Sequence, residues 1–251
     1  MSGLEALLPA GFEPWIALAL VLISALTSFL TAAVGIGGGA VLLACMAVLM
    51  PPSALIPVHG MVQIGSNAGR TLIMLGHVEH RILLPFALGS ALGVGLGGLV
   101  VVQLPPAALQ IGLAGFILWS TWGRVPSAIG RLAVSGAGLV SSFLTMFFGA
   151  TGAFVASMLK SMHLGRMEHV ASQAACMSLQ HALKVLTFGL LGFAYGPWVP
   201  LIALMIASGF LGTLLGKHVL MRTADDRFHT LLSAVLTLLA LRLLWSGLTA
   251  L

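Results

Sequence analysis

The chain has 251 residues, of which 59% are hydrophobic and 7% charged, against roughly 25% charged in soluble domains. This excludes an ordinary soluble domain and points to a polytopic membrane protein, because several apolar runs reach the ~20 residues that cross a hydrocarbon core of about 30 Å. The formal net charge of +5 could suggest a nucleic-acid partner, but the cations are scattered over short loops, where membrane orientation explains them better. No nucleic acid is expected.

The opening MSGLEALLPAGFEPW carries neither a basic stretch nor a small-residue cleavage site, so no removable signal peptide is expected. Pro14–Val34 predicts a helix, 35–39 a glycine break, and 40–50 a second helix too short to span comfortably, stopped by Pro51 and Pro52. Three spans follow at 53–75, 81–103 and Pro106–Trp122. A linker at 123–130 then closes a first repeat, residues 1–123 with its broken-helix pair at 14–50. The second repeat, residues 124–251, has a helix at 132–148, a break at 149–152 and a short helix at 153–159. These form the broken pair 132–159, and spans follow at 169–190, 198–218 and 228–245. Cys45 and Cys176 sit in apolar segments without metal or redox spacing and read as small core residues.

The division into repeats rests on identities. Ser28, Phe29, Leu30, Thr31, Gly35, Gly38 and Val41 recur as Ser142, Phe143, Leu144, Thr145, Gly149, Gly152 and Val155, a constant offset of 114 positions. Such self-similarity marks an internal duplication. The third spans match at an offset of 115, Pro85 with Pro200 and Gly97 with Gly212. Glycine-rich irregular backbone cannot face lipid, because its polar groups would go unpaired; it must be buried in protein or line a wet cavity. Matching breaks in two halves are the sequence mark of a transporter's binding site.

Charge placement orients the copies. If each broken pair enters and leaves on one side, three crossings remain per repeat and the second copy is inverted relative to the first. Arg81, Arg124, Arg131, Lys160, Arg166, Lys217, Arg222 and Arg227 then share one face, and the opposite loops carry no Lys or Arg. That face is cytoplasmic by the positive-inside rule, and both termini are periplasmic. The expected fold is therefore an all-α polytopic membrane protein of two inverted repeats, each a broken-helix hairpin plus three transmembrane helices.

Polar residues inside the spans are few and ordered. Span 53–75 carries His59, Gln63, Ser66, Asn67 and Arg70 on one helical face, and 169–190 carries Gln173, Met177, Gln180, His181 and Lys184 on one face. Asn67 matches His181 and Arg70 matches Lys184 at the offset of 114. Polar groups in hydrocarbon are costly, so these faces should turn to the bundle interior. Two cations related by an inverted repeat suit an anion; the competing reading is that each snorkels to its helix end. The helices that start at the breaks offer free N–H groups and a positive dipole end, which favour an oxyanion. Gly37, Gly38 and Gly39, or Gly149 and Gly152, could instead only permit close packing. Thr31, Thr145 and Thr151 could donate hydroxyls, or Thr31 and Thr145 could bond back to their own helices. The acidic residues, Glu5, Glu13, Glu79, Glu168, Asp225 and Asp226, all lie outside the span interiors, leaving only His59 and His181 for a proton relay. No HExxH, other metal spacing or Walker A motif is present, so neither a metal, a cofactor nor an enzyme is expected.

The stretch GIGGGAVLLACMAVLMPPSALIPVHGMVQIGS, the later GHVEHRILLPFALGSALGVGLGG and their second-half counterparts resemble the sulfite exporter TauE/SafE family of permeases over nearly the whole chain. The second break reads GATGA where the first reads GIGGG, a departure from a fully glycine-rich pattern. The resemblance implies a duplicated-repeat permease for sulfur-containing or organic anions. The expectation is a secondary transporter exporting sulfite, sulfoacetate or a related sulfonate across the bacterial inner membrane. Gly35, Gly37, Gly38, Gly39, Gly149 and Gly152 would bind anionic oxygens through N–H groups. His59, Gln63, Ser66, Asn67, Gln180 and His181 would add side-chain bonds, and Arg70 and Lys184 would attract the anion. A proton-coupled importer of the same anions and a non-transporting membrane subunit or enzyme stay open. The partners are a small anion and the bilayer, with a homodimer left open.

Overall fold

The computed structural model describes residues 8–9, 12–34, 37–101, 105–123, 131–149, 151–220 and 226–250. Over these residues the protein is helical, without a strand. The first half contains α1 (Pro14–Val34), α2 (Gly38–Leu49), α3 (Pro52–Ile73), α4 (Leu83–Val101) and α5 (Pro106–Trp122). The second contains α6 (Arg131–Phe148), α7 (Gly152–Lys160), α8 (Arg166–Leu190), α9 (Val199–Leu220) and α10 (Asp226–Leu248). One-turn helices at Leu75–His77, His80–Ile82 and Gly196–Trp198 lead into α4 and α9.

Both breaks are narrower than the sequence suggested. Gly38 and Gly39 already belong to α2, and Gly152 opens α7. A first-turn residue gives up no intrahelical N–H bond, so glycine there costs the helix less than it would in the interior. Helix α8 likewise begins three residues before the expected span, at Arg166, where the Glu168 carboxylate accepts from the Gly165 N–H at 3.1 Å.

Three segments, Pro14–Ala33, His80–Val101 and Gly196–Gly216, are long and apolar enough to cross a bilayer, and shorter apolar helices accompany them. Many leucines on these segments face outward. Leu18, Leu22 and Leu26 line one exposed stripe of α1, and Leu84, Leu88, Leu92 and Leu99 line another on α4. Serine, threonine, histidine, glutamine, arginine and lysine side chains are buried instead. Leucine outside and polar groups inside inverts the arrangement of a water-soluble bundle and suits lipid as the solvent.

The halves are interleaved rather than side by side. Helix α1 packs along α9 and α4 packs along α6, while α3 crosses α8 and α5 meets α10. Glycine makes the first two contacts possible. A Cβ on Gly89 or Gly93 would strike the backbone of Ser135 or Leu139, and one on Gly212 would strike the Ala25 carbonyl. Without a hydrophobic effect between helices in lipid, such close backbone approach supplies the association energy.

Two matched pairs run antiparallel where they meet. Gly60 of α3 lies against Lys184 and Val185 near the end of α8, and the Glu79 N–H beyond α3 reaches Ser172 Oγ near the start of α8, at 2.8 Å. Gly247 of α10 lies against Ala107 and Ile111 of α5, and Trp122 Nε1 donates to Thr237 Oγ1 at 2.9 Å. Helices α2, α3, α5, α9 and α10 enclose an apolar core around Leu42, Leu43, Met46 and Met205.

Candidate functional site

The site is built where the breaks meet the polar faces of α3 and α8. After α1 ends at Val34, Gly37 adopts φ 101 and the chain turns into α2. A φ in that region strains any residue with a Cβ. The turn lays Gly38 against the Thr27 carbonyl and Thr31 Oγ1. Thr31 donates its hydroxyl to Thr27 O at 2.8 Å, so it bonds back to its own helix. Gly35 lies outside the described residues. The second break turns at Gly149, φ +70, where a Cβ would meet Leu43 of α2 at 2.9 Å and Ile56 of α3 at 3.2 Å. The second break is therefore seated against the first half. Thr145 Oγ1 donates to the Gly149 carbonyl at 3.0 Å.

Helix α3 carries a continuous polar ladder. His59 Nε2 lies 3.1 Å from the Gly39 carbonyl and 3.1 Å from Gln63 Nε2. Asn67 Nδ2 donates to the Gln63 carbonyl at 2.8 Å and to Gln63 Oε1 at 3.3 Å, and Arg70 Nη1 donates to Asn67 Oδ1 at 3.3 Å. Ser66 Oγ lies 3.2 Å from Ser28 Oγ of α1. Spacing of three and four residues places these groups one above another, which is why the sequence pattern becomes a ladder.

Helix α8 does the corresponding work in the second half. Gln173 Nε2 donates to the Gly152 carbonyl at 3.3 Å, as His59 meets that of Gly39. Gln180 Nε2 donates to Thr151 Oγ1 at 2.6 Å and to the Ser141 carbonyl at 3.2 Å. Lys184 Nζ reaches the Gly149 carbonyl at 3.5 Å. The His59 and His181 rings meet edge to face, 6.0 Å between centroids, where the two faces cross.

Electrostatically the interior is one-sided. Lys184 is 0% exposed and Arg70 4%, and among the described residues neither has a carboxylate partner. Among the described residues the Nδ1 atoms of His59 and His181 are buried without a hydrogen-bond partner, as are Arg70 Nε, Ser142 Oγ and Gln173 Oε1. The two cations do not converge. Lys184 sits beside Gly60, ten residues before Arg70 on α3, which the helical rise makes about 15 Å. Lys184, His59 and His181 thus form a central group with the Gly149 break, and Arg70 with Asn67 stands apart. A buried charge without a partner is expensive; an anion between these groups would compensate it.

Three contributors escaped the sequence reading as site residues. Gln173 was visible as the equivalent of His59 at the offset of 114. Ser141, which bonds Gln180 Oε1 at 3.4 Å, and Gly60, which leaves room for the Lys184 stem, gave no one-dimensional signal.

Neither a curated relative nor a solved structure matches the chain. The family model described as Sulfite exporter TauE/SafE matches residues 20–243, a stretch that includes both breaks and both polar faces. This chain belongs to the sulfite exporter TauE/SafE family, and with it to the membrane transporters of sulfur anions.

Proposed function

We propose that the protein exports a small sulfur oxyanion or sulfonate, such as sulfite or sulfoacetate, from the bacterial cytoplasm across the inner membrane. The observation that carries this reading is the burial of Lys184 and, farther along α3, of Arg70, without carboxylates among the described residues, with two histidine nitrogens beside Lys184 that are likewise unpartnered there. An anion supplies the missing charge. The first-turn N–H groups of α2 and α7 add donors and the positive end of a dipole. Central binding falls to Lys184, His59, His181 and the breaks; Arg70 and Asn67 attract the anion at one approach.

The antiparallel meeting of α3 with α8 and of α5 with α10 supports two inverted repeats, with basic loops cytoplasmic and both termini periplasmic. Inverted repeats around a fixed site are a common framework for alternating access. Export needs no coupling carboxylate. Leaving a negative interior is downhill by about 2.3 kcal/mol per charge per 100 mV, hence about 4.6 kcal/mol for a dianion. Proteoliposomes loaded with sulfite test this: efflux should accelerate when the potential drives anions outward and should be indifferent to a pH gradient. Absence of sulfite and sulfonate flux overturns it. The unpartnered histidine nitrogens also suit proton-coupled import, and flux that follows the pH gradient and ignores potential would favour that mechanism.

A further inference from the structure

The polar ladder on α3 has a direction, set by chemistry at its far end. Arginine donates hydrogen bonds and never accepts them. Arg70 Nη1 stands 3.3 Å from the Asn67 side chain, so Asn67 must turn its oxygen to Arg70 and its nitrogen back along the helix. There the nitrogen meets the Gln63 backbone carbonyl at 2.8 Å, a group that only accepts. Both ends of the Asn67 amide are therefore fixed. Its nitrogen also donates to Gln63 Oε1 at 3.3 Å, which leaves the Gln63 nitrogen to face His59 Nε2 at 3.1 Å. An amide nitrogen only donates, so Nε2 must offer its lone pair. A neutral imidazole carries one proton, and that proton then belongs on Nδ1.

One contact competes. His59 Nε2 also lies 3.1 Å from the Gly39 carbonyl, and donation there requires the opposite tautomer. That choice would set an N–H of His59 against the N–H groups of Gln63. Gly39 lies in the first turn of α2, where a helix supplies its carbonyl with an N–H from the following turn. The amide nitrogen of Gln63, among the described residues, has the His59 ring nitrogen as its acceptor.

We infer that Gln63, held by Asn67 and Arg70, is a positioning residue that fixes His59 as the Nδ1–H tautomer and makes this N–H a donor to the transported oxyanion. Nδ1 is buried and finds no acceptor among the described residues. It sits in the central group with Lys184, whose stem crosses α3 at the next residue, Gly60. An N–H without an acceptor calls for a lone pair: the ligand atom that meets Nδ1 must be an oxygen with no hydrogen to offer, as an oxyanion's is. The tautomer assignment stands on the ladder alone; the donor role rests on the transport reading above.

The test is nitrogen-15 NMR of the full chain, histidine-labelled and held in lipid nanodiscs, with His59 assigned by its loss in His59→Gln. Wild-type protein should show a pyrrole-type Nδ1 and a pyridine-type Nε2 at His59. Gln63→Glu places an acceptor against Nε2 and should move the proton there. Gln63→Leu removes the donor and should do the same through Gly39, which covers the event that the glutamate variant does not fold. Sodium sulfite and sodium ethanesulfonate should shift the Nδ1 resonance of the wild type. A protonated Nε2 with a pyridine-type Nδ1 in the wild type overturns the assignment, as does a pattern unchanged in both Gln63 variants. Silence of Nδ1 toward both anions overturns the donor role. Absent flux with the expected tautomer would instead sink the transport reading alone, and a reversed tautomer with intact flux would sink only the inference.

Discussion

Replacing Lys184 with methionine separates two effects that usually travel together. Methionine keeps an unbranched apolar stem and removes the ammonium. The ammonium is fully buried, and its acceptor among the described residues, the Gly149 carbonyl, lies at the 3.5 Å limit of a hydrogen bond. Even a well-formed bond from a charged group contributes only about 1.5–3 kcal/mol, and one at this length less, whereas burying an ion costs several kcal/mol even after relaxation. Desolvation wins, so Lys184→Met should raise the apparent melting temperature without anion, by the equivalent of about 1–4 kcal/mol. Anion binding should move the other way. A charged hydrogen bond is worth about 1.5–3 kcal/mol, or about 10–150-fold in affinity at 1.4 kcal/mol per tenfold. Thermal unfolding followed by tryptophan fluorescence, with and without sulfite, reads both quantities from one titration, since selective binding raises apparent stability by mass action. A variant that melts lower than wild type and still responds to sulfite at wild-type concentrations would refute the reasoning, because Lys184 would then be a structural strut.

Arg70→Gln should depress sulfite efflux from proteoliposomes while leaving the helical circular dichroism unchanged, since Gln keeps an N–H donor on a shorter side chain and removes the charge. Gly60→Ala should lower stability by about 1–3 kcal/mol, the usual cost of overpacking, because its Cβ would stand 2.8 Å from Lys184 Cε and 3.0 Å from Val185 Cγ2; a thermal melt checks it. Gly149→Ala combines a left-handed φ of +70 with a contact at 2.9 Å to Leu43, so it should cost about 1–2 kcal/mol for the backbone alone and slow transport by shifting the second break. Gly93→Leu should be worse than either, because the obstacle there is the Leu139 carbonyl, and its yield of folded protein after extraction should fall well below wild type.

Much of the protein was legible in one dimension. Composition gave the membrane class, apolar run lengths gave an all-helical chain, and periodicity put His59, Gln63, Asn67 and Arg70 on one face of α3. The repeated SFLT segment marked where the chain breaks, and the family resemblance is upheld by a match over residues 20–243. All of these are local signals, because lipid forces each segment to satisfy its own backbone. The breaks were read a residue or two too wide, since a glycine run does not say which of its members begins the next helix.

Contacts between segments are another matter. Nothing in the sequence says that α1 lies along α9 and α4 along α6, that the second break rests on Leu43, or that Lys184 crosses α3 at Gly60. Nor does it say that Lys184 meets α3 ten residues before Arg70 rather than beside it. A helix fixes the bearing of a side chain only relative to its own axis; where that bearing leads depends on which other helix closes on it. The sequence by itself thus determined what each helix is and which face is polar, while the packing alone decided which of those polar groups share a site and which stay without a partner.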